Sequence, residues 1–276
     1  MTKNVKIKNS SGNTLNIDFR YNENSNKKLP LLIFCHGFKG FKDWGCFPYM
    51  MEKISSEDIF VVSFNFSLNG TDNEKDNPVD FDRLDLFAEN TFSKELDDLG
   101  DVINFLEAEK ENYNFDFDNL ILAGHSRGGG IAILKSAEDS RIKKLITLAS
   151  VAEFNRYGEE TKKIWKERGF IEVLNTRTHQ KMKMNYSLYD DLIKNYDRLN
   201  IQNAISKLNI PALIMHGTED LAVDKSEAET LFELCPKSKS KLIILDNTGH
   251  TFGAVHPFVG TTNKLEKVIK HILGFI

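Results

Sequence analysis

The sequence predicts an α/β fold: a mostly parallel central sheet flanked by helices, with one inserted helical cap. Three observations predict it. Short runs that are apolar at nearly every position, such as "PLLIFCHG", "IFVVSFNF" and "NLILAG", read as strands buried on both faces. Segments with helical spacing alternate with those runs, the pattern of a parallel sheet whose crossovers are helices. The alternation stops once, between about Val151 and Leu208, and then resumes.

The elements follow in order. "VKIKN" and "TLNIDFRY" suit an antiparallel hairpin around Ser11-Gly12, where turn residues gather. "PLLIFCHG" is the first buried strand, followed by a helix-like stretch from Pro48 to about Ser55 and the strand "IFVVSFNF". Residues 67–92 are polar, rich in Asn and Asp, and are expected to form a long surface loop. From Ser93, the expected N-cap, "SKELDDLGDVINFLEAEK" places Leu96, Leu99, Val102, Ile103 and Leu106 on one helical face. "NLILAG", a glycine-rich helix, "IKKLITLAS", "PALIMHG", the helix "KSEAETLFELC", "KLIILD" and a last helix from about Asn263 complete the alternation. The interrupting segment holds Trp165, "KKIWKERGF", "TRTHQKMKMNY" and "SLYDDLIKNY", mixed helical patterns with many charges. The expected organisation is a core of residues 1–150 and 209–276 with an inserted cap, or lid, over residues 151–208.

Composition excludes several function classes. Apolar residues make up 41% and charged residues 28% of 276, ordinary values for a globular chain with a substantial core. The net charge of −4 is spread along the chain without a basic stripe, so no nucleic-acid partner is expected. The N-terminal stretch alternates polar and apolar residues without an apolar h-region, and no run of 18 apolar residues occurs. Neither a signal peptide nor a membrane partner is therefore expected. Cys35, Cys46 and Cys235 are an odd count without C-x-x-C spacing, which fits buried thiols in a reducing, cytoplasmic setting. His36, His125 and His216 each end a strand, yet no H-x-x-x-H pair or acidic cluster accompanies them. No metal and no cofactor are expected.

The chemistry gathers at "LILAGHSRGGGIAI". Gly124-His125-Ser126-Arg127-Gly128 fits G-x-S-x-G, with a strand before it and a helix after it. So tight a turn leaves no room for side chains two residues either side of the serine, and glycine also tolerates its strain. The pattern fits neither a nucleoside-triphosphate loop nor a dinucleotide fingerprint. A serine hydroxyl needs a base to take its proton and a third group to orient that base. In the chain order Ser, acid, His, the downstream candidates are Asp220 in "ALIMHGTEDLAV" and His250 in "LIILDNTGHTFG", each in a loop after a strand. Glu219 competes for the acid, and Asp246 ends its strand where a turn or cap role is commoner. His256, in "AVHPF", reads as structural or pocket-lining. Backbone N–H donors for an oxyanion should come from Arg127 and from "CHGFKGFKDWG", where Phe38 is the candidate.

The segments "HGFKG", "GHSRGG", "HGTEDLAV" and "GHTF", in that order, resemble the α/β-hydrolase superfamily over almost the whole chain. Within it, "HGFKGFKDWGCFPYM" and "HTFGAVHPF" are similar to small bacterial carboxylesterases of the feruloyl (cinnamoyl) esterase type. The resemblance implies Ser126 as nucleophile, Asp220 rather than Glu219 as acid, His250 as base, and Phe38 and Arg127 as oxyanion donors. It also implies a cap after the sixth strand that shapes the acyl pocket. Trp44, Phe47 and Tyr49 either line an aromatic pocket or pack the cap onto the core, and His125 and His256 are further lining candidates. Arg156, Arg177, His179 and Tyr186 are candidates to orient a polar substrate group. The expected reaction is acyl transfer from a small-molecule ester, of small or aromatic acyl group, to water through an acyl-enzyme. A peptidase, thioesterase or acyltransferase would use the same residues, and a ligand-binding protein would be the reading of a different class.

Overall fold

A computed structural model of the chain describes residues 1–76, 78 and 80–276. It opens on an antiparallel hairpin of β1 (Thr2–Lys8) and β2 (Thr14–Arg20), followed by β3 (Leu29–Cys35), α1 (Phe47–Ser55) and β4 (Phe60–Asn65). Helices α2 (Leu84–Ala88) and α3 (Phe92–Glu109) lead to β5 (Phe115–His125), α4 (Arg127–Glu138) and β6 (Ile142–Leu148). Between β6 and the next strand of the main sheet come α5 (Glu159–Arg168), β7 (Phe170–Asn175), β8 (Gln180–Asn185), α6 (Ser187–Lys194) and α7 (Ile201–Ser206). The chain finishes with β9 (Ala212–Gly217), α8 (Lys225–Leu234), β10 (Lys241–Leu245) and α9 (Asn263–Leu273).

Among the described residues, eight strands form one sheet in the order β1-β2-β4-β3-β5-β6-β9-β10, parallel from β4 onward and antiparallel across β1, β2 and β4. The continuous apolar runs have a direct cause in this arrangement. On β3, Leu31 and Ile33 join the apolar cluster with α3, α4 and α7, while Leu32 and Phe34 join the cluster with α1 and α9. Both sides of each central strand are therefore buried, and each such side chain contributes about 1.5–3 kcal/mol. Parallel strands also bring their C-terminal ends to one edge. The loops after β3, β5, β6, β9 and β10 meet there.

Three sequence expectations need correction. The cap of α3 is Thr91, whose side chain accepts from Lys94 N, and Ser93 lies inside the helix with its N–H donated to Asp191. The polar stretch 67–92 is not simply a surface loop. Asn69, Thr71 and Asn73 are buried and bonded to one another and to the backbone, buried Ser67 donates to Asp98, and Phe81 and Phe87 are buried on the core. Asn and Asp can satisfy each other inside a loop, so polarity there does not mean exposure. Between β6 and β9, where mixed helical patterns are expected, β7 and β8 form an antiparallel hairpin beside the helices. Among the described residues, no helix is long and apolar enough to cross a membrane.

Candidate active site

The turn from β5 into α4 places Ser126 at φ 56°, ψ −121°, a strained conformation, and its side chain does not cap the helix it precedes. The glycines around it are required by close approach. A Cβ at Gly124 would overlap the Gly128 carbonyl, and one at Gly128 would overlap the His36 carbonyl. The Ser126 N–H donates to Leu148 O at 2.9 Å, which anchors the elbow to β6.

Asp220 lies three residues beyond β9, its side chain fully buried. Oδ1 accepts the N–H groups of Ala222 and Val223 at 2.8 and 2.9 Å, and Oδ2 lies 2.7 Å from His250 Nδ1. Burial raises this carboxyl, but the hydrogen bonds from His216 and His250 and the backbone donors outweigh it and hold the group well below the usual carboxylate range. An ionised carboxylate only accepts, so the His250 proton sits on Nδ1 and Nε2 is left free to act as a base. Glu219 and Asp246 are exposed, and the acid that meets His250 is Asp220.

Two further histidines brace the arrangement. His125 Nε2–H donates to the His250 carbonyl at 2.9 Å, and the two rings pack with centroids 4.6 Å apart. Burial and then the neighbouring His250 push the His125 imidazole down to about 3, so it stays neutral and a donor. His36 Nδ1–H donates to Gly37 O at 2.9 Å while Nε2 accepts from Phe66 N at 3.3 Å, and burial pushes it down to about 4. It thereby holds the loop that carries Phe38 beside the elbow, where a Cβ on Gly37 would crowd Ser126.

Arg127 is the first residue of α4, so its N–H belongs to the helix turn that has no acceptor within the helix. Its side chain is buried elsewhere: the guanidinium lies 4.1 Å over the Phe38 ring and 5.0 Å over Phe92, and pairs with Glu95 at 3.4 Å. Arg127 thus ties the Phe38 loop to α3 as well as beginning the helix.

Two clefts open onto Ser126 and His250, sharing Phe38 and Lys39 as their divide. One, of about 430 Å³, is lined by Trp44, Phe47, Phe81, His125, His256 and the hairpin residues Asn175 to Arg177. The other, of about 480 Å³, is lined by Phe92, Val151, Phe154, Arg156, Tyr157 and Val173. Volumes of this size hold small organic groups. His256 Nδ1 accepts from Gly45 N at 2.8 Å and its ring stacks on Trp44, so it shapes the first cleft and is not placed as the base. Arg177 lines the same cleft but is paired with Asp80, and Arg156 lines the second but is paired with Glu227. Tyr49 bonds Glu266 and packs α1 against the C-terminal region, Tyr186 packs on Trp165, and His179 sits in the hairpin turn; these three serve the scaffold. Among the described residues, no group of three His, Cys, Asp or Glu could hold a metal ion. Sequence reasoning did not find Lys39, Phe81, Asn175 or Thr176 in the clefts, because each is an ordinary residue of an irregular loop or turn.

The BD-FAE family model matches residues 83–234, more than half of the chain. No curated protein matches the sequence. Among solved structures, Est1E from Butyrivibrio proteoclasticus with ferulic acid bound is similar, with a TM-score of 0.74 at 20% identity over 98% of this chain and 97% of that one. The esterase domain of a Rhodothermus marinus protein gives 0.66 at 16% identity, covering 100% and 97% of the two chains. The alpha/beta hydrolase domain-containing protein 10 from mouse gives 0.71 at 17% identity, covering 98% and 96%. At these identities the likeness establishes the α/β-hydrolase fold.

Proposed function

The chain belongs to the BD-FAE family, and on that premise we propose that it hydrolyses carboxylic esters, with Ser126 as nucleophile, His250 as general base and acid, and Asp220 orienting His250. The observation that carries the reading is the 2.7 Å contact of His250 Nδ1 with the buried Asp220 carboxylate, in a loop that opens onto the same clefts as Ser126. Ser126 Oγ attacks the ester carbonyl while His250 Nε2 takes its proton. Asp220 holds the imidazole in the required tautomer and stabilises the imidazolium. The N–H groups of Phe38 and Arg127 receive the oxyanion of the tetrahedral intermediate. His250 then protonates the departing alcohol, leaving an acyl-Ser126. It next activates the water that releases the acid and regenerates the hydroxyl.

The two clefts support a substrate with a sizeable group on each side of the scissile bond. The aromatic walls contributed by Trp44, Phe47 and Phe81 suit a small or aromatic acyl group, and the ferulic acid bound in Est1E is consistent with that choice. The test is hydrolysis of p-nitrophenyl acetate, butyrate and octanoate and of methyl ferulate, by the wild type and Ser126→Ala. The expected result is turnover that falls by about 10⁴-fold or more in the variant. A variant that keeps a tenth of the activity or more, that is, a loss of only about tenfold, removes Ser126 from the mechanism.

A further inference from the structure

The geometry points to His216 as a positioning residue for the acid–base pair, acting through the turn that carries Asp220. His216 is the penultimate residue of β9 and is fully buried. Its Nε2 lies 2.9 Å from Val223 O and 3.1 Å from Asp220 Oδ2. Both neighbours only accept, so the ring's proton is on Nε2. The N–H is aimed at Val223 O, and Oδ2 sits beside it within reach of the same hydrogen.

That single N–H joins both halves of the turn. Val223 donates its own N–H to Asp220 Oδ1, and its carbonyl is held by His216. The loop from Gly217 to Val223 is thereby closed around the carboxylate, with Oδ1 fixed by two backbone donors and Oδ2 set between His216 and His250. A carboxylate so surrounded cannot rotate without giving up one of these partners. The imidazole of His250 meets it in one orientation.

The other edge of the His216 ring argues against a packing role. Its Nδ1 is buried and has no hydrogen-bond partner among the described residues. A buried acceptor left unpaired is destabilising, and an apolar side chain at this place would avoid it. The histidine therefore brings a cost that its Nε2–H offsets. Its effect falls on turnover more than on binding, because Asp220 stabilises the imidazolium, which forms only as the reaction proceeds.

This inference rests on the reading of Ser126, His250 and Asp220 given above. The experiment compares His216→Met and His216→Gln with the wild type and with Ser126→Ala, measuring kcat and KM for p-nitrophenyl butyrate. The fraction of active sites comes from the p-nitrophenol burst, so that loss of folded enzyme is separated from slower turnover. Met matches the reach of His without an N–H donor, whereas the Gln Nε2 lies near the imidazole Nε2. We expect Met to lower kcat per active site by about 10- to 100-fold, the worth of a hydrogen bond within a charged network, with KM changed by about twofold or less. Gln should recover kcat to within about threefold of wild type. Met at wild-type kcat, Met raising KM alone, or Gln as slow as Met would each overturn the proposal. If Met does not fold, Gln decides alone: retained turnover supports the role and lost turnover overturns it. A wild type that turns over no ester, or a Ser126→Ala variant that remains active, refutes the esterase reading itself.

Discussion

Asp220→Asn is a sharp test of the site because the surroundings of the carboxylate dictate which way the amide must face. The Oδ1 position receives the N–H groups of Ala222 and Val223, at 2.8 and 2.9 Å. Backbone amides cannot change from donor to acceptor, so an NH₂ group there would face two N–H groups in a buried place. The Oδ2 position faces His250 Nδ1 at 2.7 Å and His216 Nε2 at 3.1 Å. Imidazoles can move their proton. The asparagine therefore keeps its oxygen towards the backbone and turns its NH₂ towards His250.

An amide N–H donated to His250 Nδ1 requires that nitrogen to be unprotonated, which moves the proton to Nε2. In the proposed mechanism Nε2 takes the Ser126 proton, and a nitrogen that already carries a hydrogen cannot accept another. The shape of the site is unchanged, but the base is in the wrong tautomer, a change worth about 10⁴-fold in kcat when the equivalent acid of a serine protease is replaced in this way. The variant should bind substrate normally, since Asp220 belongs to the turn and not to either cleft lining. The assay is steady-state hydrolysis of p-nitrophenyl butyrate at pH 7 and above, with the chemical shift of the His250 ring nitrogens by ¹⁵N NMR reporting the tautomer. A kcat within about tenfold of wild type would show that the His250–Asp220 contact does not set the tautomer during catalysis.

Two further outcomes follow from buried charge. His36 and His125 are held neutral, at about 4 and about 3, below the unfolded value near 6.5, so below that pH the unfolded chain binds protons that the native chain does not. Each therefore loses about 2 kcal/mol of its contribution between pH 7 and pH 5. Asp98, pushed up by burial to about 7, opposes them, since the native chain takes up its proton first and gains about 2 kcal/mol on the same descent. The net loss expected by urea denaturation is about 2 kcal/mol, and Asp98→Asn should raise it to about 4; equal losses in the two proteins would contradict the assignment. Lys42→Met should destabilise by about 3–5 kcal/mol, read as a lower urea midpoint, because the fully buried ammonium sits 2.8 Å from Asp18 and 2.6 Å from Asp43 and, among the described residues, only Arg20 would remain paired with both. A loss below about 1 kcal/mol would mean that the two aspartates rearrange at little cost.

The parallel sheet was legible because burial on both faces forces a signature that few other structures produce. "PLLIFCHG" and "NLILAG" carry Leu31, Leu32, Ile33, Leu120, Ile121 and Leu122 on alternating sides, and each side meets helices. The elbow was legible for a similar reason: backbone crowding at Gly124 and Gly128 leaves no other residue type possible, so the glycines report a distance. The start of α3 was misplaced by two residues because Thr91 and Ser93 are both competent caps, and the choice between them depends on Asp191, almost a hundred residues away, taking the Ser93 N–H.

The hairpin β7–β8 was hidden by a different competition. "FIEVLN" and "QKMKMN" alternate at period two, with Met182 and Met184 buried and Lys181 and Lys183 exposed. Charged residues between apolar ones fit a helix surface equally well over so short a span, and neither strand is paired to the main sheet that would have made it fully apolar. What decides is tertiary. The Trp165 indole donates to Met184 O at 2.9 Å, and Gly169, at φ +76°, ends α5 so that the chain can turn back on it. The hairpin then reaches the core through Gln180, which bonds Phe81 O, and Arg177, which pairs with Asp80. Those contacts set Asn175, Thr176 and Arg177 along one cleft, while Val173 of the same hairpin lines the other. The residues that line the clefts are thus placed by partners distant in sequence, whereas the turn at Ser126 is marked by the glycines beside it. That is the physical reason a sequence of this kind announces its chemistry more readily than its specificity.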